Sequence, residues 1–105
     1  MRATTVRPGR LVELAGRLDG TGAATARDAL HRALADGEDE LVIDLRDLEL
    51  IDATGLGVLV GSHRRAGLIG RRLVLRDPPA RVARILMLTR LDRILVLERT
   101  AVSAR

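Results

Sequence analysis

Apolar positions along the chain follow two spacings, one typical of strands and one typical of helices. Short alternating or continuous apolar runs predict five strands, around Val6 and over residues 11–16, 41–45, 72–76 and 94–97. Between them, apolar residues three or four positions apart predict helices over residues 23–35, over residues 54–68 and from Pro78–Pro79 onward. The predicted order of elements is β-β-α-β-α-β-α-β.

Strands that alternate with helices predict an α/β fold with a mostly parallel sheet joined by right-handed crossovers. The first two strands, separated by Pro8 and Gly9, are expected to pair as an N-terminal hairpin. A chain of 105 residues is long enough for one core, so residues 1–105 are expected to form a single domain. We expect the helices to pack mainly on one face of the sheet, and the polar tail, residues 99–105, to fray.

Each predicted helix groups residues at helical spacing, and the stripe of the first helix is expected to be buried. The stripes of the three helices consist of Ala26, Ala29, Leu30, Ala33 and Leu34, then Leu56, Leu59, Val60 and His63, then Val82, Ile85, Leu86 and Leu88. Residues 36–40 are predicted to form a solvated acidic loop, and residues 46–50 to link a strand to the turn that follows.

Composition narrows the classes of function. The chain has no Phe, Trp, Tyr or Cys, and its arginines are scattered, which argues against a nucleic-acid partner because stacking aromatics and a basic face are missing. The densest basic stretch, residues 63–65 with Arg71 and Arg72, could meet an acidic protein surface. No apolar run is long enough for membrane insertion and no leader pattern is present, so a cytoplasmic protein is expected.

The chain offers few side chains for bond-making chemistry. It has no Cys/His cluster for a metal and no Lys for a phosphate-binding loop, so neither a metal nor a cofactor is expected. Asp44 and Asp52 are interpreted as turn and cap residues, and His63 has no nucleophile within helical reach. An enzyme is therefore not expected.

The most informative segment is residues 51–59, where a strand ends, a tight acidic turn follows and a glycine-containing helix begins. An exposed helix N-terminus has unpaired N–H groups and a positive dipole end, which suit an acidic side chain, a phosphate or a docking partner. The longer pattern Asp-Leu-x-x-Leu-x-x-Ile-Asp-x-Thr-Gly-Leu-Gly-Val-Leu, residues 44–59, resembles the STAS domain and most closely the bacterial anti-sigma factor antagonists. Residues 16–19 and 79–95 are similar to flanking segments of that family.

The resemblance implies a non-catalytic binding module that sequesters an anti-sigma factor, often a serine/threonine kinase, and so frees a sigma factor for transcription. In the family the kinase phosphorylates a Ser or Thr at the start of the second helix, and a phosphatase resets the switch. The implied contact surface consists of Asp19, Asp52, Ala53, Thr54 and Gly55, with Val58, Ser62 and Arg65 on the exposed side of the helix. Gly55 and Gly57 are expected to let a partner backbone approach closely.

Two positions depart from the family pattern. Ala53 stands where the phosphoacceptor usually lies, and as a cap Ala is about 1 kcal/mol poorer than Ser unless Asp52 or Thr54 supplies the acceptor. Three interpretations remain open. The protein is an unswitched binder, which we prefer; or Thr54 takes the phosphate; or Ala53 is an engineered substitution. Without phosphorylation, the Thr54 hydroxyl is expected to have a local role at the start of the helix. Arg90 replaces a common Gly and, in a left-handed conformation, is expected to cost on the order of 1 kcal/mol.

Two other functions are compatible with the pattern. Small STAS-like proteins also serve as regulatory subunits of membrane transport complexes, where the partner is an ATPase subunit. Alternatively, the N-terminus of the second helix could bind an anion and make the protein a small-ligand or nucleotide sensor.

Overall fold

The computed structural model describes residues 1–100 of the chain, which form six strands, three helices and one 3₁₀ turn. The strands are β1 (Arg2–Arg7), β2 (Leu11–Leu18), β3 (Glu40–Asp44), β4 (Leu48–Ile51), β5 (Arg72–Arg76) and β6 (Val96–Glu98). The helices are α1 (Ala23–Ala35), α2 (Ala53–Leu68) and α3 (Ala80–Leu88), and the 3₁₀ turn is Leu91–Arg93. Of the predicted tail, residues 101–105 lie outside the described part, whereas Thr100 is hydrogen-bonded to Asp77.

The strands form one mixed sheet in the order β1-β2-β3-β5-β6, with β4 paired to β2. β1 runs antiparallel to β2, and the other pairs are parallel, which confirms the predicted hairpin and the mostly parallel sheet. The first half of β2 pairs with β3 and its second half pairs with β4. Gly16 lies at this change of partner with φ 93°, a conformation that glycine adopts without a steric penalty.

The strand predictions need three corrections. Residues 46–50 are not a plain link, because Leu48–Ile51 forms β4. β2 does not end at Gly16 but continues to Leu18, since its final residues find backbone partners in β4. The last strand is not residues 94–97 but Val96–Glu98, because the N–H groups of Ile94 and Leu95 donate to Leu91 in the 3₁₀ turn.

A single aliphatic core lies between the three helices and one face of the sheet. Its largest fully buried side chains are Leu14, Leu18, Leu30, Leu34, Leu41, Ile43, Leu45, Leu59, Leu73, Leu75, Leu86 and Val12. All three helices contribute to this cluster, which confirms that they pack on one face of the sheet. Side chains alternate between the two faces along a strand, so the buried Val42 and Val74, which lie outside the cluster, belong to the opposite face.

Two helices bury faces that differ from the predicted stripes. α2 buries Gly55, Val58, Leu59, Ser62 and Ala66, whereas the predicted Leu56, Val60 and His63 are only partly buried. α3 buries Val82, Ala83 and Leu86, and Leu88 is 74% exposed. For α2 the residues grouped from the sequence lie to one side of the true inward face, whereas for α3 Val82 and Leu86 are buried as grouped, Ile85 packs against the core and only Leu88 is wrong.

Arg71 is buried and does not form part of a basic surface, contrary to the prediction. It is 8% exposed, and its guanidinium donates to the carbonyls of Ala33 at 2.8 Å and Leu34 at 2.9 Å, in the last turn of α1. It also donates to carbonyls of the β1–β2 turn and of the segment before β3, at Gly9, Glu38 and Asp39. Carbonyls in the last turn of a helix lack partners within the helix, and Arg71 supplies a donor to Leu34 and a second donor to Ala33, whose carbonyl also accepts from the Asp36 N–H.

Arg90 adopts the left-handed conformation that was considered from the sequence, with φ 62° and ψ 17°. It lies between α3 and the 3₁₀ turn, and its N–H donates to the carbonyl of Met87 at 3.1 Å. A residue with a Cβ atom is strained in this region, so a glycine would fit the local backbone better.

Candidate functional site

The carboxyl ends of β2 and β4 bring two acidic residues together. Leu18 and Ile51 are partners in the parallel register, and each is followed directly by an aspartate, Asp19 and Asp52. The Asp52 N–H also donates to the Leu18 carbonyl at 3.3 Å. We call Asp19 together with residues 52–55 the acidic corner.

Asp52 is the N-cap of α2. Its Oδ1 accepts a hydrogen bond from the Gly55 N–H at 2.9 Å, and its backbone is extended with φ −116° and ψ −172°. Ala53 is therefore the first helical residue, and the capping penalty expected for it does not arise because Asp52 supplies the acceptor. The negative charge of Asp52 also lies at the positive end of the helix dipole, where it stabilises the helix.

The turn after Asp52 is accessible from outside. Asp52, Ala53 and Thr54 are all exposed. Within residues 1–100 no hydrogen bond is found to the Thr54 hydroxyl, so the local role considered for it has no counterpart in the described structure. The acidic corner therefore presents a carboxylate, a methyl group and a hydroxyl to solvent on a rigid helix start.

Gly55 fixes this helix start against the strands. A Cβ atom at Gly55 would overlap the Leu18 carbonyl oxygen and lie 2.9 Å from the Ile51 side chain. The close approach expected for a partner backbone is therefore made by the chain itself at Gly55. At Gly57, by contrast, a Cβ atom would meet open space, so the surface there is free.

Asp19 organises the loop between β2 and α1. Its Oδ1 accepts from the Thr21 hydroxyl at 2.7 Å, from the Thr21 N–H at 3.0 Å and from the Gly22 N–H at 3.1 Å. These hydrogen bonds, the Thr21 hydroxyl first and the Gly22 N–H next, lower the pKa of Asp19 from its usual value. Its side chain is 17% exposed, so it supports the corner and offers a partner only a small surface.

Three predicted contact residues do not join the acidic corner. Val58 and Ser62 are 3% and 1% exposed, so their predicted place on the outer side of α2 is wrong. Ser62 Oγ is buried without a hydrogen-bond partner. Arg65 is exposed, but it lies about 18 Å from Ala53 along the helix axis at about 1.5 Å per residue.

The outer side of α2 differs from the predicted contact set. Beyond Thr54, the exposed positions of α2 are Gly57, Gly61, Arg64, Arg65, Gly67 and Leu68. Gly57 and Arg65 were named from the sequence, whereas Gly61 and Arg64 were not assigned to the contact surface. The apolar spacing of Val58, Leu59 and Ala66 was the available signal, because residues four apart share a face and Ser62 lies between Val58 and Ala66.

Other kinds of site find little support in residues 1–100. They contain no group of three or more His, Cys, Asp or Glu side chains that could hold a metal ion. None of the helices in this part is long and apolar enough to cross a membrane. What the acidic corner offers chemically is a rigid, charged surface for binding.

Comparisons with known proteins agree with this architecture. The family model described as "Mlab, STAS domain" matches residues 3–98. A Thermotoga neapolitana protein, a TM1081 homologue named for anti-sigma factor antagonism, is 38% identical over 58 residues, 55% of this chain and 51% of the relative. The matched segment thus spans about half the length of that relative.

Two crystal structures of proteins described as anti-sigma factor antagonists are similar over most of the chain. TM1081 from Thermotoga maritima is 28% identical with a TM-score of 0.77, covering 94% of this chain and 86% of its own. A Mycobacterium paratuberculosis protein is 28% identical with a TM-score of 0.73, covering 94% of this chain and 84% of its own. With nearly the whole described chain matched by the family model and by these folds, this protein belongs to the STAS domain family.

Proposed function

We propose that this protein is an anti-sigma factor antagonist, a non-catalytic module that binds a kinase-type anti-sigma factor and so regulates sigma-factor-dependent transcription. The observation that carries the proposal is the exposed turn Asp52-Ala53-Thr54, held at the start of α2 by the Asp52 cap and by Gly55. The names of the relatives at 38% and 28% identity point in the same direction.

Docking at this corner needs no rearrangement of the chain. Asp52 is fixed by its hydrogen bond to Gly55, and Gly55 is in contact with the end of β2, so little conformational entropy is lost on binding. Next to the corner, Gly57 and Gly61 carry no side chain, which leaves the outer side of α2 flat. A partner surface can therefore approach the first turns of α2 closely while it contacts Asp52 and Thr54.

Ala53 leads us to propose a binder that phosphorylation does not switch off. A phosphate adds about −1.5 to −2 charges, and beside Asp52 in a packed interface it would repel a partner. Ala53 has no hydroxyl to carry that phosphate. Thr54, whose side chain is exposed, is the second candidate for the acceptor.

The test begins with affinity capture and mass spectrometry to identify the anti-sigma kinase, followed by titration calorimetry with the purified partner. We expect a complex that persists when ATP is added. The matched variant Ala53→Ser restores a hydroxyl at this position, and we expect its complex to dissociate with ATP as the introduced serine becomes phosphorylated. ATP-dependent release of the unmodified protein with phosphate on Thr54 would falsify the unswitched mode, and a persistent failure to bind any anti-sigma factor would overturn the function itself.

The two other functions give different results in the same experiments. A regulatory subunit of a transport complex would capture a transporter ATPase and no anti-sigma factor. A nucleotide sensor would be stabilised by nucleotides in a thermal-shift assay. The Asp52 carboxylate weighs against this sensor, because it already occupies the Gly55 N–H and places negative charge where an anion would bind.

A further inference from the structure

A second surface, on α3 and the turn after it, exposes large apolar side chains that the core does not use. Met87, Leu88 and Ile94 are 63%, 74% and 54% exposed. On the inner side of the same helix Val82 and Leu86 are fully buried, so α3 is held in place by its inner face. Clusters of exposed apolar residues rimmed by polar groups are typical of interaction sites.

A shallow, open cleft of about 480 Å³ lies between side chains on the outer side of α3, and its lining consists of Ala80, Arg81, Arg84, Ile85 and Leu88. Ile85 and Leu88 supply apolar walls, and the two arginines stand beside them. The cleft has the size to receive apolar side chains from another polypeptide.

Arg81 and Arg84 border the cleft, and Arg90 and Arg93 lie in the turn that follows α3. Within residues 1–100 the ion pairs closer than 4.0 Å involve Arg17, Arg46, Arg72 and Arg76, and none of the four near α3. Between residues 80 and 95 the only acidic residue is Asp92. The surface therefore combines apolar contact area with unneutralised positive charge.

We infer that the α3 surface, comprising Arg81, Arg84, Ile85 and Leu88, docks an acidic amphipathic helix of a protein partner. Apolar residues of that helix enter the cleft and its carboxylates pair with the arginines. A second copy of this chain fits less well, because face-to-face packing brings arginines against arginines. A bilayer fits less well because the chain has no aromatic residues of the kind that anchor proteins at membrane interfaces.

The probe is a synthetic helical peptide of about 18 residues, long enough to be helical, with a leucine stripe flanked by glutamates. A matched peptide carries glutamine in place of each glutamate. Fluorescence anisotropy is expected to show that the glutamate peptide binds at least tenfold more tightly than the glutamine peptide. We expect Leu88→Gln and Arg84→Glu each to weaken binding of the glutamate peptide at least tenfold, with unchanged melting temperatures because both side chains are on the surface.

Two control variants separate this surface from the rest of the molecule. Leu68 is 86% exposed at the end of α2, so Leu68→Gln removes an equally exposed leucine elsewhere, and Arg27→Glu reverses an exposed charge on α1. Both are expected to bind the peptide like the unmodified protein. Absence of peptide binding, or equal loss in the controls, overturns the inference. So does binding to phosphatidylcholine/phosphatidylglycerol vesicles in place of the peptide, or self-association that Leu88→Gln abolishes. The acidic corner is untouched throughout, so failure here leaves the proposed function standing.

Discussion

At the scale of single residues, one carboxylate determines how α2 begins. Asp52 directly follows β4, caps α2 and remains exposed beside Ala53 and Thr54. The same residue thus stabilises the fold and contributes charge to the proposed contact surface. Its structural and binding roles can be separated by Asp52→Asn, because an amide oxygen still caps the helix but carries no charge.

Arg90→Gly is expected to stabilise the protein by about 1 kcal/mol, because the left-handed backbone at this residue strains any side chain with a Cβ atom. The measurement is the free energy of unfolding from urea titration. Arg84→Gly is the matched control: Arg84 is an exposed residue in the interior of α3, so there the same change is expected to destabilise by about 1 kcal/mol. Equal effects at the two positions would contradict the strain at Arg90.

Two glycines in the first turns of α2 have different surroundings and give opposite expectations. Gly55→Ala drives a Cβ atom into the Leu18 carbonyl oxygen, and we expect destabilisation by at least about 2 kcal/mol. Gly57→Ala adds a methyl group in open space within a helix, and we expect stabilisation by about 0.5–1 kcal/mol. Thermal unfolding of both variants is the measurement. A neutral Gly55→Ala would show that α2 can move away from β2.

Residue-level prediction from the sequence succeeded where local chemistry decides. The acidic turn, the capping option at Asp52 and the left-handed conformation considered for Arg90 all follow from residue types and short spacings. It failed for Val58 and Ser62, because the direction of a helix face depends on which side meets the core, and Ser62 lies buried with an unpaired hydroxyl. The residue type of Ser62 alone does not place it on the inner face; only its spacing from Val58 and Ala66 does.

At the scale of elements, the end of α1 depends on a side chain that is distant in sequence. Arg71→Ala removes the donors to the carbonyls of Ala33 and Leu34. Carbonyls of the neighbouring segments also lose a donor where water has only partial access. We expect destabilisation by about 2–4 kcal/mol, since hydrogen bonds to a charged group contribute about 1.5–3 kcal/mol each and part of the loss is recovered by water.

The matched control is the next residue. Arg72 is exposed and lies 3.9 Å from Glu40, so Arg72→Ala is expected to change the free energy of unfolding by less than about 1 kcal/mol. Urea titration of both variants is the measurement. If Arg71→Ala proved as mild as Arg72→Ala, the buried guanidinium would have no structural role of consequence.

The missed strand β4 shows what element prediction lacked. Residues 48–51 are few and do not alternate cleanly, because Leu48 and Ile51 are buried and Leu50 is half-buried. Their strand conformation comes from pairing with the second half of β2, which changes partner at Gly16. Such pairing is a long-range property, whereas the longer helices and the central strands were predicted from local periodicity.

At the scale of the whole molecule, stability is expected to decrease in acid. Hydrogen bonds from the Thr100 N–H, then from its hydroxyl, and the Arg46 guanidinium lower the pKa of Asp77, as the loop hydrogen bonds do for Asp19. A carboxyl with a lowered pKa in the folded state contributes stability that is present above its unfolded value of about 3.9 and is lost as pH falls through the folded value.

We therefore expect the urea midpoint to be flat from neutral pH down to about pH 5 and to fall below about pH 4. Asp19→Asn and Asp77→Asn keep an acceptor but cannot titrate. Each is therefore expected to reduce the fall of the urea midpoint below about pH 4. Glu13→Gln is the control, since Glu13 is exposed on β2 and no ion pair to it is found within residues 1–100. If the two asparagine variants left the fall of the urea midpoint unchanged, the loss of stability in acid would come from other carboxylates.

The wholly aliphatic core has an experimental consequence. Without Phe, Tyr or Trp, the chain has essentially no near-ultraviolet absorbance or intrinsic fluorescence. In a mixture, nearly all light absorbed at those wavelengths belongs to the other component. A tryptophan in the captured kinase can therefore report association without labelling. In Leu68→Trp, the introduced side chain would be the one fluorescent residue of this chain.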